Sequence, residues 1–95
     1  MADTAKLTGL FLDYLRVERQ YSDDTQKAYR SDINEFERFL IETGDQKTVD
    51  ITAVDQYDVR VYLSALYEKG DVSRTIARKV SSLRAFYQFL ERNEF

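Results

Sequence analysis

Apolar residues recur along this chain with the period of an α-helix in four separate stretches. The most regular lies within Val72–Leu90, where Ile76, Val80, Leu83, Tyr87 and Leu90 follow at steps of four, three, four and three, and Phe86 and Phe89 broaden the stripe. Leu7, Leu10, Phe11, Tyr14 and Leu15 give an inward face to a first helix over about Thr4–Arg19, which Val17 extends. Tyr29, Ile33, Phe36 and Leu40, with Phe39 at the edge, do the same for a second helix that ends near Thr43. In a third helix, over about Thr52–Lys69, Val59, Tyr62, Leu63 and Leu66 form the core face. Val54, Tyr57, Val61 and Ala65 lie on a partly different side, so the pattern predicts burial on two faces.

The punctuation between these stretches agrees with them. Asp3 or Thr4 can cap the first helix. Ser22 can cap the second, with Asp23 and Asp24 at the positive end of its dipole. Gly44 and Gly70 are C-terminal stops for the second and third helices. Thr52-Ala-Val-Asp55 resembles a capping box, and Ser73 is the expected N-cap of the fourth helix. Residues 45–50 form a polar loop without periodicity. With no proline and three glycines in 95 residues, long helices and short connections are favoured. The expectation is one all-α domain, a compact four-helix bundle of orthogonal type.

Composition narrows the chemistry. Cysteine and histidine are both absent, which removes thiolate and imidazole metal ligands and the usual acid–base group near neutral pH. No glycine-rich phosphate loop or metal-ligand spacing is present. The carboxylate pairs Asp23–Asp24, Asp55–Asp58 and Glu35–Glu37 are better explained by capping or by solvated helix surface. The expectation is therefore no catalytic residue, no metal and no cofactor in this chain. Without an apolar run of spanning length, it is read as soluble, cytoplasmic and not associated with a membrane.

The net charge of −3 is unevenly spread. Residues 23–44 and 45–71 each carry six acids against three bases, whereas residues 72–95 carry five bases against two acids. Opposite the apolar stripe of the fourth helix lie Arg74, Thr75, Arg78, Ser81 and Ser82, a basic, hydroxyl-rich face suited to a phosphate backbone. On the second helix Lys27, Ser31, Asn34 and Arg38 form a stripe nearly opposite the core. Its lysine, serine and asparagine can donate to phosphates or base edges. A plain solvated surface accounts for either face taken alone.

The two stretches together resemble a known family. Arg19–Leu40, RQYSDDTQKAYRSDINEFERFL, is similar to the first signature of the core-binding domain of tyrosine recombinases, with Ser22, Thr25, Tyr29, Asp32, Phe36, Phe39 and Leu40 in place. VSRTIARKVSSLRAFYQFL looks like its second signature, through Thr75, Ile76, Arg78, Ser81, Leu83, Arg84, Phe86, Tyr87 and Leu90. Within the family the chain looks most like bacterial Xer-type recombinases, which resolve chromosome dimers; phage and transposon integrases share the domain.

The resemblance implies that residues 1–95 are the SAM-like, DNA-binding half of a clamp. The second and fourth helices would cross the major groove. Thr25, Lys27, Ser31 and Asn34 would contact double-stranded DNA from one, and Arg74, Thr75, Arg78, Lys79 and Ser82 from the other. It also implies that the catalytic residues, including the nucleophilic tyrosine, belong to a C-terminal domain absent from this chain. The fragment would be monomeric. The full protein would break and rejoin DNA as a tetramer on two sites, with a related recombinase as a candidate partner. A helical protein-interaction module, whose same faces meet an acidic partner, is the alternative from a different class. The excess of acids on the second helix departs from an ordinary DNA-facing helix and implies weak binding by the isolated domain.

Overall fold

The computed structural model describes residues 3–95. Among them are four α-helices and one short 3-10 turn, with no strand: α1 (Thr4–Val17), α2 (Asp23–Thr43), the turn Ile51–Ala53, α3 (Gln56–Lys69) and α4 (Ser73–Arg92). None of these helices is long and apolar enough to cross a membrane. The all-α, four-helix expectation holds. Helices α1, α2 and α4 pack on one another, and α3 leans on α2 and α4.

Local rules explain most helix ends. Asp3 caps α1 by accepting from the Ala5 and Lys6 amides at 3.0 and 3.4 Å. The helix stops at Val17, two residues short of the expected Arg19, and Gln20 turns the chain through a left-handed conformation (φ 54°). Ser22 caps α2 as expected, accepting from the Thr25 amide at 3.2 Å. Gly44 ends α2 without adopting a left-handed conformation; Asp45 takes that role instead (φ 50°). A Cβ at Gly44 would lie 3.0 Å from the Leu40 carbonyl oxygen, so close approach favours glycine there. Gly70 does take the left-handed conformation (φ 100°), letting the Asp71 amide return to the Leu66 carbonyl oxygen at 3.1 Å.

Two starts differ from expectation. Helix α3 begins one turn later than Thr52, because Ile51 is driven fully into the core and the chain then runs extended through Val54. The capping box forms at Asp55 instead. Its carboxylate accepts from the Asp58 amide at 3.0 Å, and Asp58 accepts from the Asp55 amide at 3.1 Å. Helix α4 starts at Ser73 itself, with Val72 in the cap position and no capping side chain. Ser73 is not the N-cap because the Val72 carbonyl oxygen already accepts the first helical bond, from Ile76 at 3.0 Å.

The centre of the core is aromatic. Phe11 of α1 meets Phe86 and Phe89 of α4 with ring centroids 5.4 Å apart in both cases, and Phe36 of α2 meets Tyr62 of α3 at 5.0 Å. Ile33, Ile51 and Phe86 are fully enclosed. The expected face of α1 is rotated: Leu12 is buried, whereas Leu10 and Val17 are exposed. Helix α3 is not buried on two faces. Tyr62 and Leu66 are inside, but Tyr57 (71 % exposed) and Val61 stand open on a depression they share with Phe39 and Leu40 of α2. The Tyr87 hydroxyl donates to the Ile51 carbonyl oxygen at 2.8 Å, fastening the 3-10 turn to α4.

Thr4 and Thr8 are buried, and among the described residues neither hydroxyl has a hydrogen-bond partner. A buried hydroxyl without a partner is destabilising, and valine has the same branched shape and similar helix propensity. Thr8→Val is therefore expected to stabilise the chain by about 1 kcal/mol, read as a higher denaturant midpoint at unchanged slope.

Candidate nucleic-acid interface

The seam between α2 and α4 is polar, and its ion pairs sort the predicted contact residues into two groups. Asp32 of α2 is 2 % exposed. Its two carboxylate oxygens each take one Arg78 guanidinium nitrogen at 3.1 Å, and the Ser82 hydroxyl donates to Oδ2 at 2.6 Å. One turn along α2, Glu35 accepts from Lys79 at 2.7 Å and from the Tyr62 hydroxyl at 2.6 Å. Lys79 also reaches Asp71 at 2.8 Å, and Lys69 flanks both carboxylates at 3.6–3.9 Å.

Lys79 and Ser82 were expected on the outer, DNA-facing side, and the structure corrects that placement. Their residues are 6 % and 4 % exposed. Lys79 is enclosed between Glu35 and Asp71, and Ser82 sits beneath Arg78 against Asp32. On α4 both flank the apolar stripe, on the side where α2 lies against the helix, so their polar atoms turn inward to its carboxylates. Neither offers a free donor to solvent.

The other predicted residues lie at the surface. Lys27, Ser31 and Asn34 are exposed and line one shallow groove with Arg30, Glu35 and Arg38. Arg30 was missed in the sequence reading, although its spacing of three from Lys27 and four from Asn34 puts it on the flank of that stripe. Thr25 is exposed, with its hydroxyl 2.9 Å from that of Ser22. Arg74 is exposed and Thr75 half-buried in the uncapped first turn of α4. The Arg78 side chain is 49 % exposed. It lines a depression of about 400 Å³ between the two helices with Thr25, Ala28, Ser81 and the inner Ser82. Across the seam, Thr25 of α2 adjoins Arg78 and Ser81 of α4 with Asp24 beside them, whereas the groove at Lys27, Ser31 and Asn34 is lined by α2 alone and includes Glu35.

The charged network has a definite pH signature. Burial pushes the Glu35 carboxyl up, but its bonds from Lys79 and Tyr62 outweigh that and hold it below the usual range. The bond from Lys79 likewise holds Asp71 low. Burial pulls Lys79 down, yet the bonds to Asp71 and Glu35 leave it raised. Burial and the neighbouring Glu35 carboxylate push the Tyr62 phenol up, so it stays a donor. Among the described residues no cluster of side chains is suited to hold a metal ion.

Carboxyls that titrate lower in the folded chain than in the unfolded one stabilise it above the unfolded values of about 3.9–4.3. That contribution is lost as pH falls through the folded values. Lys79, raised on folding, contributes below the ordinary lysine range and loses its effect only as pH rises through its folded value. Lys79→Met is expected to cost about 1–3 kcal/mol, less than a fully enclosed pair would, because Glu35 keeps solvent contact and Lys69. The same variant is expected to show a weaker loss of stability between about pH 5 and pH 2 in chemical denaturation.

Comparison with known proteins gives a consistent picture. Residues 9–94 match the family described as "Phage integrase, N-terminal SAM-like domain". The chain is similar to Tyrosine recombinase XerC of Pediococcus pentosaceus, 48% identical over 89 residues, which is 94% of this chain and 29% of that protein. The counterpart of the same name in Lacticaseibacillus casei is 52% identical over 88 residues, 92% of this chain and 28% of that protein. That of Listeria innocua is 46% identical over 92 residues, 97% of this chain and 30% of that protein. The chain thus spans about three-tenths of the length of the curated relatives it matches. No solved structure gives a significant match.

Proposed function

The chain belongs to the phage integrase N-terminal SAM-like family found in tyrosine recombinases, and on that premise we propose that it is the part of a site-specific recombinase that grips duplex DNA. The observation that carries this reading is the α2–α4 surface. Two adjoining helices present Lys27, Ser31, Asn34, Arg74 and Arg78 outward, while the acids Asp32 and Asp71 are turned in and neutralised by pairing. That arrangement reconciles an acidic chain with a polyanionic ligand: the local field at the face matters more than the sum.

In this reading α2 and α4 cross the major groove. Lys27, Arg74, Thr75 and Arg78 contact phosphates, and Ser31 and Asn34 lie where base edges can be reached. Lys79 and Ser82 support the face from beneath without touching DNA. The full-length protein would break and rejoin DNA through residues outside this chain. It would act as a tetramer on two sites, with chromosome dimer resolution as its role and mobile-element integration as the related alternative. It would work in the cytoplasm.

A second reading, a helical protein-interaction module, is favoured by the open apolar side of α3 at Tyr57 and Val61. The two separate on salt dependence. As a DNA module the 95-residue chain binds duplex with log affinity falling by about 0.9 per phosphate contacted for each tenfold rise in salt. Arg78→Ala is then expected to weaken binding about equally across duplex sequences and to reduce the salt slope by about 1 in a fluorescence titration. Absence of any salt-dependent binding, with no NMR shifts on α2 or α4, would leave the protein-interaction reading standing.

A further inference from the structure

Arg78 is half in solvent, but its direction is set from inside the protein. Asp32 beneath it is almost wholly enclosed, grips two guanidinium nitrogens at 3.1 Å, and is itself fixed by the Ser82 hydroxyl at 2.6 Å. A two-point grip of this kind leaves three of the five guanidinium N–H groups without a bond to Asp32. The depression between α2 and α4, bordered by Thr25 and Ser81 and, at one edge, by the Asp24 carboxylate, lies where Arg78 reaches the surface.

Holding two helices in register accounts for only part of this arrangement. A buried carboxylate is a costly tie, and apolar side chains of similar volume serve as well or better. The same helices are already joined by the Lys79–Glu35 pair and by aromatic packing against a shared core. What Asp32 adds is orientation of a side chain that otherwise has many rotamers.

We propose that Asp32 is a positioning residue for DNA contact: its grip from below aims the outward N–H groups of Arg78 at a phosphate seated in the depression between α2 and α4. This rests on reading that surface as a DNA face. The alternative effect of Asp32 is plain charge, and it has the opposite sign. A carboxylate beside the interface repels a polyanion, so its removal would by itself tighten binding.

The test is a double-mutant cycle on the 95-residue chain, read by fluorescence anisotropy with a generic duplex at low salt. Circular dichroism is recorded for each variant. Asp32→Asn keeps the shape, leaves a single acceptor oxygen and so removes the two-point grip. It is expected to weaken binding roughly three- to tenfold, the cost of freeing one rotamer-rich side chain, although the variant is less negative. In an Arg78→Ala background the same change is expected to leave binding unaltered or tighter. Arg78→Lys keeps the charge without the fork and should lose nearly as much as Arg78→Ala. Should Asp32→Asn unfold the chain, Ser82→Ala leaves the carboxylate charge in place and is expected to weaken binding in the same direction.

Tighter binding by Asp32→Asn, or an equal change with and without Arg78, overturns the positioning role while leaving the DNA reading intact. Failure of the unaltered chain to bind overturns both. In that case, hindered rotation of the Arg78 guanidinium in NMR spectra, lost in Asp32→Asn, would show that the grip exists but serves packing alone.

Discussion

The architecture depends on how charge is buried between α2 and α4. Asp32 and Glu35 sit one turn apart on α2, and each meets a base of α4, Arg78 or Lys79. A buried carboxylate without its partner carries a large desolvation penalty. The two helices are therefore restrained in register as well as in separation. Sliding one past the other would strand Asp32 and part the enclosed Lys79 from its carboxylates. The aromatic core supplies most of the favourable free energy, but apolar contacts are non-directional. The ion pairs make one alignment of the helices preferable to its neighbours.

That alignment determines which surface is available. With Asp32, Asp71 and Lys79 turned inward, the outer sides of α2 and α4 keep Lys27, Ser31, Asn34, Arg74 and part of Arg78. The acids that make the second helix look unsuited to a polyanion are partly removed from the face by pairing. Glu35 is a compromise. It belongs to the seam through Lys79 and Tyr62, yet it also borders the groove lined by Lys27 and Asn34.

Elements governed by local rules were legible in the sequence. Asp3 and Ser22 cap their helices as expected, and Gly70 takes the left-handed turn, because each depends only on a few neighbouring backbone groups. Elements decided by tertiary packing were not. Insertion of Ile51 into the core delays α3 by a turn, which the polar run before it gives no reason to expect. Leu10 and Leu12 are equally apolar, and only the position of the neighbouring helices makes one exposed and the other buried. Exposure was legible at Lys27, Ser31, Asn34 and Arg74, which lie well away from their stripes. It was misread at Lys79 and Ser82, which flank the stripe of α4. A helical wheel cannot assign such residues until the partner helix is placed. Arg30 was passed over because it lies to one side of the Lys27–Arg38 stripe.

The chain uses one kind of force at two depths. Lys79 is enclosed by its carboxylates, whereas Lys27 and Arg74 face the solvent. Mobile ions damp exposed charges over roughly 10 Å at moderate ionic strength and reach enclosed pairs far less. Rising electrolyte concentration therefore acts on the outer shell first. It weakens the field of the rim while the inner lattice of charges keeps the helices in place. The reach of the rim and the cohesion beneath it are in this way set to fail at different salinities.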